Sequence, residues 1–146
     1  MIWRDNMYTL RRRVRFYETD GMRVAYHGNY LNWFEEARVE YLREGGVNLN
    51  ELMAEDIVFP VVEVYVKYLK SAYYDDVLFI NAYLRKLDRA SLRFEYEVKR
   101  ESDGELLATG ESVGTYTSIS TGKIVRIPKE RLVRLIEISK EDQIHG

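Results

Sequence analysis

The chain has 146 residues, a formal net charge of -2 and 46% hydrophobic residues. This length fits one domain with a substantial core, and the near-neutral charge gives no reason to expect a nucleic-acid partner. The absence of cysteine excludes disulfides, thiol nucleophiles and cysteine-bound metals. Because no hydrophobic run is long enough to span a bilayer and the polar start is unlike a signal peptide, we expect a cytoplasmic protein without membrane insertion.

The first periodic segment follows an N-terminal arm, residues 1–8, that has no clear period. From Leu10 onward, Leu10, Val14 and Phe16 fall on alternate positions with arginines between them, which predicts a strand of about eight residues. The strand should deliver Glu18 and Asp20 to its C-terminal end. Its basic residues indicate a solvated sheet edge, with an anion contact as the alternative: Arg11, Arg12, Arg13 and Arg15.

The most regular pattern in the chain is a helix over residues 31–44. Apolar residues recur there at helical spacing and charged residues take the other face. Asn29 is a candidate N-cap, and Gly45 with Gly46 predicts the end of the helix. A short helical turn at residues 49–53 leads back toward the sheet.

Four segments after Pro60 alternate with period two and predict strands at residues 61–68, 77–84, 92–99 and 106–118. The last of them has a face of small residues, which indicates that the helix crosses it at close range: Ala108, Gly110, Ser112 and Gly114. Pro128 opens a final short helix, residues 129–137, with Leu132, Leu135 and Ile136 inside. Residues 139–146 are interpreted as a frayed tail.

The order of elements predicts an α+β fold, with one helix against one face of a five-stranded antiparallel sheet. One helix cannot cover five strands, and a sheet with an open edge and an uncovered face usually pairs with another chain. We therefore expect a dimer at least.

The chemistry of the chain is concentrated where the first strand meets the helix. A carboxylate at Asp20 could act as a nucleophile or a general base, while N–H groups of the first helical turn stabilise an oxyanion; the alternative is that Asp20 only caps the loop. The ring of His27 could transfer protons or simply hydrogen-bond the loop. A metal site is not expected, because the loop has a single histidine and no cluster of acidic residues accompanies it. The absence of a Gly-x-Ser-x-Gly motif and of a phosphate loop disfavours triad hydrolases and nucleotide-dependent enzymes.

Residues 20–31 and 33–38 read DGMRVAYHGNYL and WFEEAR, and residues 60–64, Lys67 with Tyr68, and residues 74–78 form a second block. Together they resemble the signature of the hotdog-fold acyl-CoA thioesterases of the 4-hydroxybenzoyl-CoA thioesterase family. The sequence is most similar to the branch that includes small bacterial thioesterases associated with the Tol-Pal system. The similarity covers nearly all of residues 10–137.

The resemblance implies a hotdog fold, in which a long central helix is wrapped by a five-stranded antiparallel sheet in one domain. It implies a homodimer or homotetramer with active sites at the dimer interface, an acyl-CoA substrate and no cofactor. The catalytic carboxylate of the family falls on Asp20, and the backbone N–H that polarises the thioester carbonyl falls on His27. Substrate contacts are expected at Arg23, Tyr26, Gly28, Glu63, Arg85 and Arg89.

Several positions leave alternatives open. Arg23 stands where the family usually has glycine, so it could reshape the loop or contact the substrate. Arg85 and Arg89, at a predicted turn, could meet the phosphates of CoA or form an exposed basic hairpin. Another hotdog branch has its carboxylate on the helix, but we interpret Glu35 and Glu36 as a solvated face or a pair with Arg38. The alternative function is a non-catalytic module that binds an acyl or aromatic ligand.

Overall fold

The computed structural model describes residues 3–4 and 7–138, and the side chains of residues 7–134. The strands are β1 (Trp3–Arg4), β2 (Met7–Arg13), β3 (Ile57–Val58), β4 (Val61–Tyr68), β5 (Val77–Leu87), β6 (Ser91–Arg100), β7 (Leu106–Thr115) and β8 (Thr117–Ser118). The helices are α1 (Asn29–Glu44), α2 (Leu49–Ala54) and α3 (Lys129–Ile138), and Phe16–Glu18 forms a 3₁₀ turn.

The main sheet is antiparallel, and its strands lie in the order β1-β2-β5-β6-β7-β4. Five of these strands are long, and the two-residue β1 extends the sheet beside β2. β3 and β8 form a separate pair. The predicted α+β class with a five-stranded antiparallel sheet is thereby confirmed.

The 16-residue helix α1 lies against one face of the sheet. Its buried residues follow the predicted stripe: Tyr30, Trp33, Phe34, Ala37, Tyr41 and Leu42. The ring of Phe34 stacks on Tyr96 of β6, with 4.3 Å between ring centroids. A Cβ added to Gly110 of β7 would lie 2.5 Å from the Phe34 ring. The prediction that small residues in β7 make room for the helix is therefore confirmed at Gly110.

The first long strand is shifted toward the N-terminus relative to its prediction. It begins at Met7, inside the predicted arm, and it ends at Arg13. The chain then leaves the sheet and enters the 3₁₀ turn, so Phe16 does not face the core but is 70% exposed. The prediction that the first strand includes Phe16 is wrong, because the alternation was extended three residues past the end of the strand.

The start of α1 also differs from its prediction. Gly28 is the residue that caps the helix, and Asn29 is its first residue. The Asn29 side chain points back toward the preceding loop, where Nδ2 donates to the carbonyl oxygen of Glu18 at 2.7 Å. The prediction of Asn29 as the N-cap is therefore wrong. At the other end Gly46, with a φ of 85°, follows the helix as expected of a glycine stop.

The strand β4 forms one edge of the sheet. Within the described residues it pairs only with β7, so one row of its backbone groups has no partner strand. Its exposed side chains are largely apolar or aromatic: Val61, Val62, Val64, Tyr65 and Tyr68. Such an edge is a template for pairing with another chain.

The C-terminal part follows the prediction where it is described. Gly122, with a φ of 71°, forms the predicted turn, and Leu132 of α3 packs against the core. The side chains of Leu135 and Ile136, and the tail at 139–146, lie outside the described residues. No described helix is both long enough and apolar enough to cross a membrane.

Candidate active site

Between the 3₁₀ turn and α1 the chain folds back on itself. Thr19 pairs with Ala25 in antiparallel fashion, and Val24 pairs with Tyr73 in the segment before β5. The N–H of Tyr26 donates to the carbonyl oxygen of Glu18 at 2.8 Å. These contacts form a tight antiparallel turn whose tip is residues 20–24 and whose return arm leads into α1. We call residues 18–28 the site loop.

Asp20 lies at the tip of the site loop and is exposed. Its Oδ1 accepts from the N–H of Met22 at 2.8 Å and from that of Val24 at 3.4 Å. The capping contact considered from the sequence is therefore present. None of the hydrogen bonds recorded for residues 7–134 uses Oδ2, so one oxygen can stabilise the turn while the other meets a substrate.

Arg23 completes the turn with a φ of 65°, in the left-handed region that favours glycine. Its N–H donates to the carbonyl oxygen of Asp20 at 3.1 Å, and its own carbonyl accepts from Tyr74 at 3.0 Å. Both peptide groups of Arg23 are thus engaged in the turn. The arginine keeps a backbone conformation that glycine adopts at lower cost, and it adds an exposed cation beside Asp20.

His27 lies immediately before the capping residue of α1. Its carbonyl oxygen accepts from the Tyr68 hydroxyl at 2.8 Å. Burial, together with the nearby Tyr26, raises the pKa of Tyr68 and keeps this hydroxyl protonated as a donor. Within the described part of the chain no acceptor is recorded for the His27 N–H, which lies at the positive end of the α1 dipole. A carbonyl oxygen that gains negative charge would be stabilised at this position.

Tyr26 and Gly28 shape the surface on either side of His27. The rings of Tyr26 and His27 lie 4.4 Å apart. A Cβ added to Gly28 would approach the Tyr26 ring to 2.7 Å, so the glycine leaves space for this ring over the helix start. The result is an exposed aromatic surface beside the His27 N–H.

Asp20 lies at the tip of the site loop, and His27 lies on its return arm. The N–H of Asp20 donates to the carbonyl oxygen of Val24 at 2.9 Å, and His27 follows Val24 by three residues. His27 lies in the turn that enters α1, where the Asn29 N–H donates to the carbonyl oxygen of Tyr26 at 3.0 Å. The site loop therefore carries the carboxylate and the helix-start N–H on one short segment.

Glu18, at the base of the site loop, is buried and fully engaged in hydrogen bonds. Its Oε1 accepts from Arg12 Nη1 at 2.6 Å and from the Arg15 N–H at 2.8 Å. Its Oε2 accepts from Trp33 Nε1 at 3.0 Å. Burial by itself raises the pKa of this carboxyl, but the hydrogen bonds from Arg12, Arg15 and Trp33 outweigh it, and the pKa lies below its usual value. Glu18 is therefore a buried anion.

The interpretation of the N-terminal arginines as a solvated edge is wrong for Arg12. Its side chain is only 9% exposed and pairs with Glu36 at 3.0 Å as well as with Glu18. Arg12 lies inside because Leu10, Arg12 and Val14 are two residues apart and therefore point to the same, core-facing side of the chain. The arginines at positions 11 and 13 are exposed and pair with Glu101 and Asp75. The predicted pair of Glu35 with Arg38 is confirmed at 4.0 Å.

Three predicted substrate residues lie away from Asp20 within one protomer. The prediction that Arg85 lies in a turn is wrong, because β5 continues to Leu87. Eight residues of strand, about 26 Å, separate it from the start of β5 near the site loop. There Arg85 pairs with Glu95 at 2.9 Å, and Arg89 donates to the carbonyl oxygen of Ile127 at 3.1 Å. Glu63 is exposed on β4, about 16 Å of strand before Tyr68.

The sequence did not identify Arg12, Trp33 and Tyr68 as parts of this site. Two of them were signalled only indirectly, Arg12 by its in-phase position with Leu10 and Val14, and Trp33 by its place on the buried helical stripe. Tyr68 belonged to the second block of the family resemblance, but its contact with His27 was not predicted, because it joins segments 41 residues apart.

Solved structures with a similar fold include a protein named as a thioesterase. The DHNA-CoA thioesterase of Staphylococcus aureus superposes with a TM-score of 0.83 at 29% identity, and the match covers 90% of this chain and 91% of that one. A hypothetical protein from Aquifex aeolicus has a TM-score of 0.80 at 36% identity, with 88% of this chain and 98% of that chain covered. The predicted hotdog class is supported by both.

The sequence also matches the profile of the thioesterase-like superfamily over residues 14–135. The chain belongs to this family. A curated relative, the acyl-CoA thioesterase YbgC of Haemophilus influenzae, is 30% identical over 129 residues, which is 86% of this chain and 92% of the relative. The prediction of a thioesterase is thereby confirmed at the level of the family.

Proposed function

We propose that this protein hydrolyses acyl-CoA thioesters to a carboxylic acid and free CoA, with Asp20 as the reacting carboxylate. The observation that carries the proposal is the site loop itself, in a chain of the thioesterase-like superfamily. It presents one carboxylate oxygen of Asp20 at its tip and the N–H of His27 on its return arm, and neither has a hydrogen-bond partner among the described residues.

Two routes are consistent with this arrangement. In the first, Asp20 attacks the thioester carbonyl, the C–S bond breaks, CoA leaves as the thiolate, and water hydrolyses the resulting anhydride. In the second, Asp20 takes a proton from water as the water oxygen attacks the carbonyl; the C–S bond then breaks, CoA leaves as the thiolate, and the proton held by Asp20 goes to the departing sulfur. In both routes the His27 N–H stabilises the oxyanion, a contact that is worth about 3 kcal/mol in comparable sites.

The residues around Asp20 favour an anionic, CoA-linked substrate. Arg23 adds an exposed cation at the tip of the loop, and Tyr26 covers the helix start beside Gly28. The relatives' names point to acyl-CoA and DHNA-CoA substrates for those proteins. For this chain, the Tol-Pal-associated branch of the 4-hydroxybenzoyl-CoA thioesterase family is the finer proposal, with a cytoplasmic location.

We further propose that the active unit is a dimer, or a tetramer of such dimers, formed along β4. The open edge and the apolar side chains of β4 support this proposal. A second protomer would also offer its own Glu63, Arg85 and Arg89 at distances that one protomer does not allow. The partner surface would complete the wrapping of α1 as the central helix.

The dimer proposal is tested by placing a charge on the edge. We expect Val64→Lys to shift the protein to a monomer in light scattering, because the lysine blocks strand pairing. Val133→Lys, at an exposed valine of α3, is the matched control and should keep the native mass. A Val64→Lys protein with native mass would contradict pairing along β4.

The activity is tested with a panel of acyl-CoAs that vary in chain length and aromatic character, by measuring the release of free thiol. The proposed function predicts thiol release from at least one member above the spontaneous rate. No release from any member, alongside saturable acyl-CoA binding, would instead support the non-catalytic binding module.

A further inference from the structure

We propose that Glu18 is a positioning residue, which fixes the His27 N–H relative to Asp20 and thereby sets the rate of the chemical step. This inference rests on the proposed function of Asp20 and His27. The relevant feature is that the side chain of Glu18 and its backbone carbonyl engage different parts of the site.

The carboxylate of Glu18 joins three segments of the chain. Arg12 comes from β2, the Arg15 N–H from the residue before the 3₁₀ turn, and Trp33 from the first turns of α1. The carboxylate is only 3% exposed, and an anion at that depth needs each of these donors. The orientation of the Glu18 peptide is therefore determined by contacts in the core.

The backbone carbonyl of Glu18 faces the return arm of the site loop. It accepts from the Tyr26 N–H at 2.8 Å and from Asn29 Nδ2 at 2.7 Å. These donors lie on either side of His27 and Gly28. Both ends of the segment that carries the oxyanion donor are thus bonded to one oxygen atom of Glu18.

Glu18 also defines where the Asp20 turn begins, since only Thr19 separates the two acids. Thr19 pairs with Ala25, and the Tyr26 N–H donates to the Glu18 carbonyl. The arm that leads to Asp20 and the arm that carries His27 are therefore both held at Glu18. A small rotation of the Glu18 peptide would change the separation of the two reacting groups. Misplacement by about 1 Å can lower a rate about 100-fold.

Glu36 provides a matched control for Glu18. It is the other carboxylate on Arg12, at 3.0 Å, but its side chain is 44% exposed and it bonds neither Trp33 nor the site loop. Glu18→Gln and Glu36→Gln each remove one negative charge from Arg12. Only Glu18→Gln also changes the group that accepts hydrogen bonds from Trp33 Nε1 and from the Arg15 N–H, because one carboxylate oxygen becomes an amide NH₂ that cannot accept them.

The test compares these two variants in steady-state thioester hydrolysis, below the temperature at which either begins to unfold. For Glu18→Gln we expect kcat to fall about 10- to 100-fold with KM within twofold of wild type. Glu36→Gln should change neither value by more than twofold. A purely structural role would leave kcat per folded protein unchanged in Glu18→Gln, and that result would overturn the proposal.

Amide hydrogen exchange gives a second readout that does not need activity. In Glu18→Gln the Tyr26 N–H should exchange at least tenfold faster than in wild type, and in Glu36→Gln it should not. Unchanged protection in Glu18→Gln would contradict the positioning role even if the protein hydrolyses no acyl-CoA. Faster exchange in Glu18→Gln, together with a wild-type protein that hydrolyses no acyl-CoA, would instead mean that the structural link exists and the proposed function has failed.

Asn29→Ala is the second test of the positioning role, to be used if Glu18→Gln does not fold. It removes one donor to the Glu18 carbonyl and leaves the buried carboxylate intact. We expect a two- to tenfold loss in kcat and faster exchange of the Tyr26 N–H. Native kcat and native exchange in Asn29→Ala would overturn the proposal by this route.

Discussion

Glu18 and Asp20 are two residues apart, yet they belong to opposite regions of the molecule. The region around Glu18 is buried, and its carboxylate accepts hydrogen bonds at both oxygens. The region around Asp20 is exposed, and its carboxylate bonds only N–H groups of its own turn. The comparison shows that two acids only two residues apart differ in burial and in hydrogen bonding, and the proposed function gives them different tasks, a structural one to the buried acid and a chemical one to the exposed acid.

The same contrast extends to the residues that follow each acid. The chain next to Glu18 is bonded to β2 and α1, whereas the turn next to Asp20 tolerates an arginine at a positive φ. Stability should therefore depend mainly on the inner region, and activity on the outer one. Four predictions examine this division, beginning with the largest effect.

Glu18→Ala should lower the free energy of unfolding by about 3–5 kcal/mol. Removal of this side chain leaves Arg12 buried without its nearest anion and Trp33 Nε1 without its acceptor. Chemical denaturation measures the change. A loss below about 1 kcal/mol would mean that the network contributes little to stability.

Asp20→Ala should lower the free energy of unfolding by only about 1 kcal/mol, because it removes the exposed capping bond to the Met22 N–H. Its thermal midpoint is compared with that of Glu18→Ala in the same buffer. Equal losses in the two variants would remove the distinction between an inner structural acid and an outer reactive one.

The pH dependence of stability should differ between wild type and Glu18→Gln. The pKa of Glu18 is lowered in the folded state, so its contribution is present above the unfolded pKa of about 4.3 and is lost as the pH falls through the folded value. Unfolding free energies measured from pH 6 to pH 3 should therefore fall less in Glu18→Gln. Parallel curves would contradict a buried ionised Glu18.

Arg23→Gly should raise the free energy of unfolding by about 0.5 kcal/mol, since relief of the left-handed conformation exceeds the entropy that glycine adds to the unfolded chain. Gly104→Ala is the reverse control, because Gly104 has a φ of 70° and no atom within 4 Å of an added Cβ. It should lower stability by about 1 kcal/mol. Destabilisation by Arg23→Gly would show that the arginine side chain itself stabilises the loop.

Local patterns predicted most of the fold. The helical stripe of α1 and the alternation of β6 are clear in the sequence because each side chain's burial follows the period of its own element. The small residue at Gly110 even indicated the close approach of Phe34. The errors at Phe16 and Asn29 fall where a regular element ends and the period no longer applies.

The candidate site was predicted in part. Asp20 and His27 emerged from their position between a strand and a helix, and from the family resemblance. The opposite fates of Glu18 and Asp20 could not be predicted, because both acids were expected at the end of the first strand and the 3₁₀ turn that ends at Glu18 was not recognised. The burial of Arg12 was signalled only by its phase with Leu10 and Val14, and the ion pair with buried Glu18 that accompanies it could not be predicted.

The central claim is that the Asp20 carboxylate carries out the reaction, and one comparison of kcat values tests it most directly. Asp20→Asn preserves an oxygen that can accept from the Met22 N–H. Asp103→Asn makes the same change in the β6–β7 turn, where Asp103 Oδ1 accepts from the Glu105 N–H at 3.0 Å. With the best acyl-CoA of the panel, we predict a fall in kcat of at least about 100-fold for Asp20→Asn and less than twofold for Asp103→Asn. An Asp20→Asn enzyme with kcat within threefold of wild type would contradict the account.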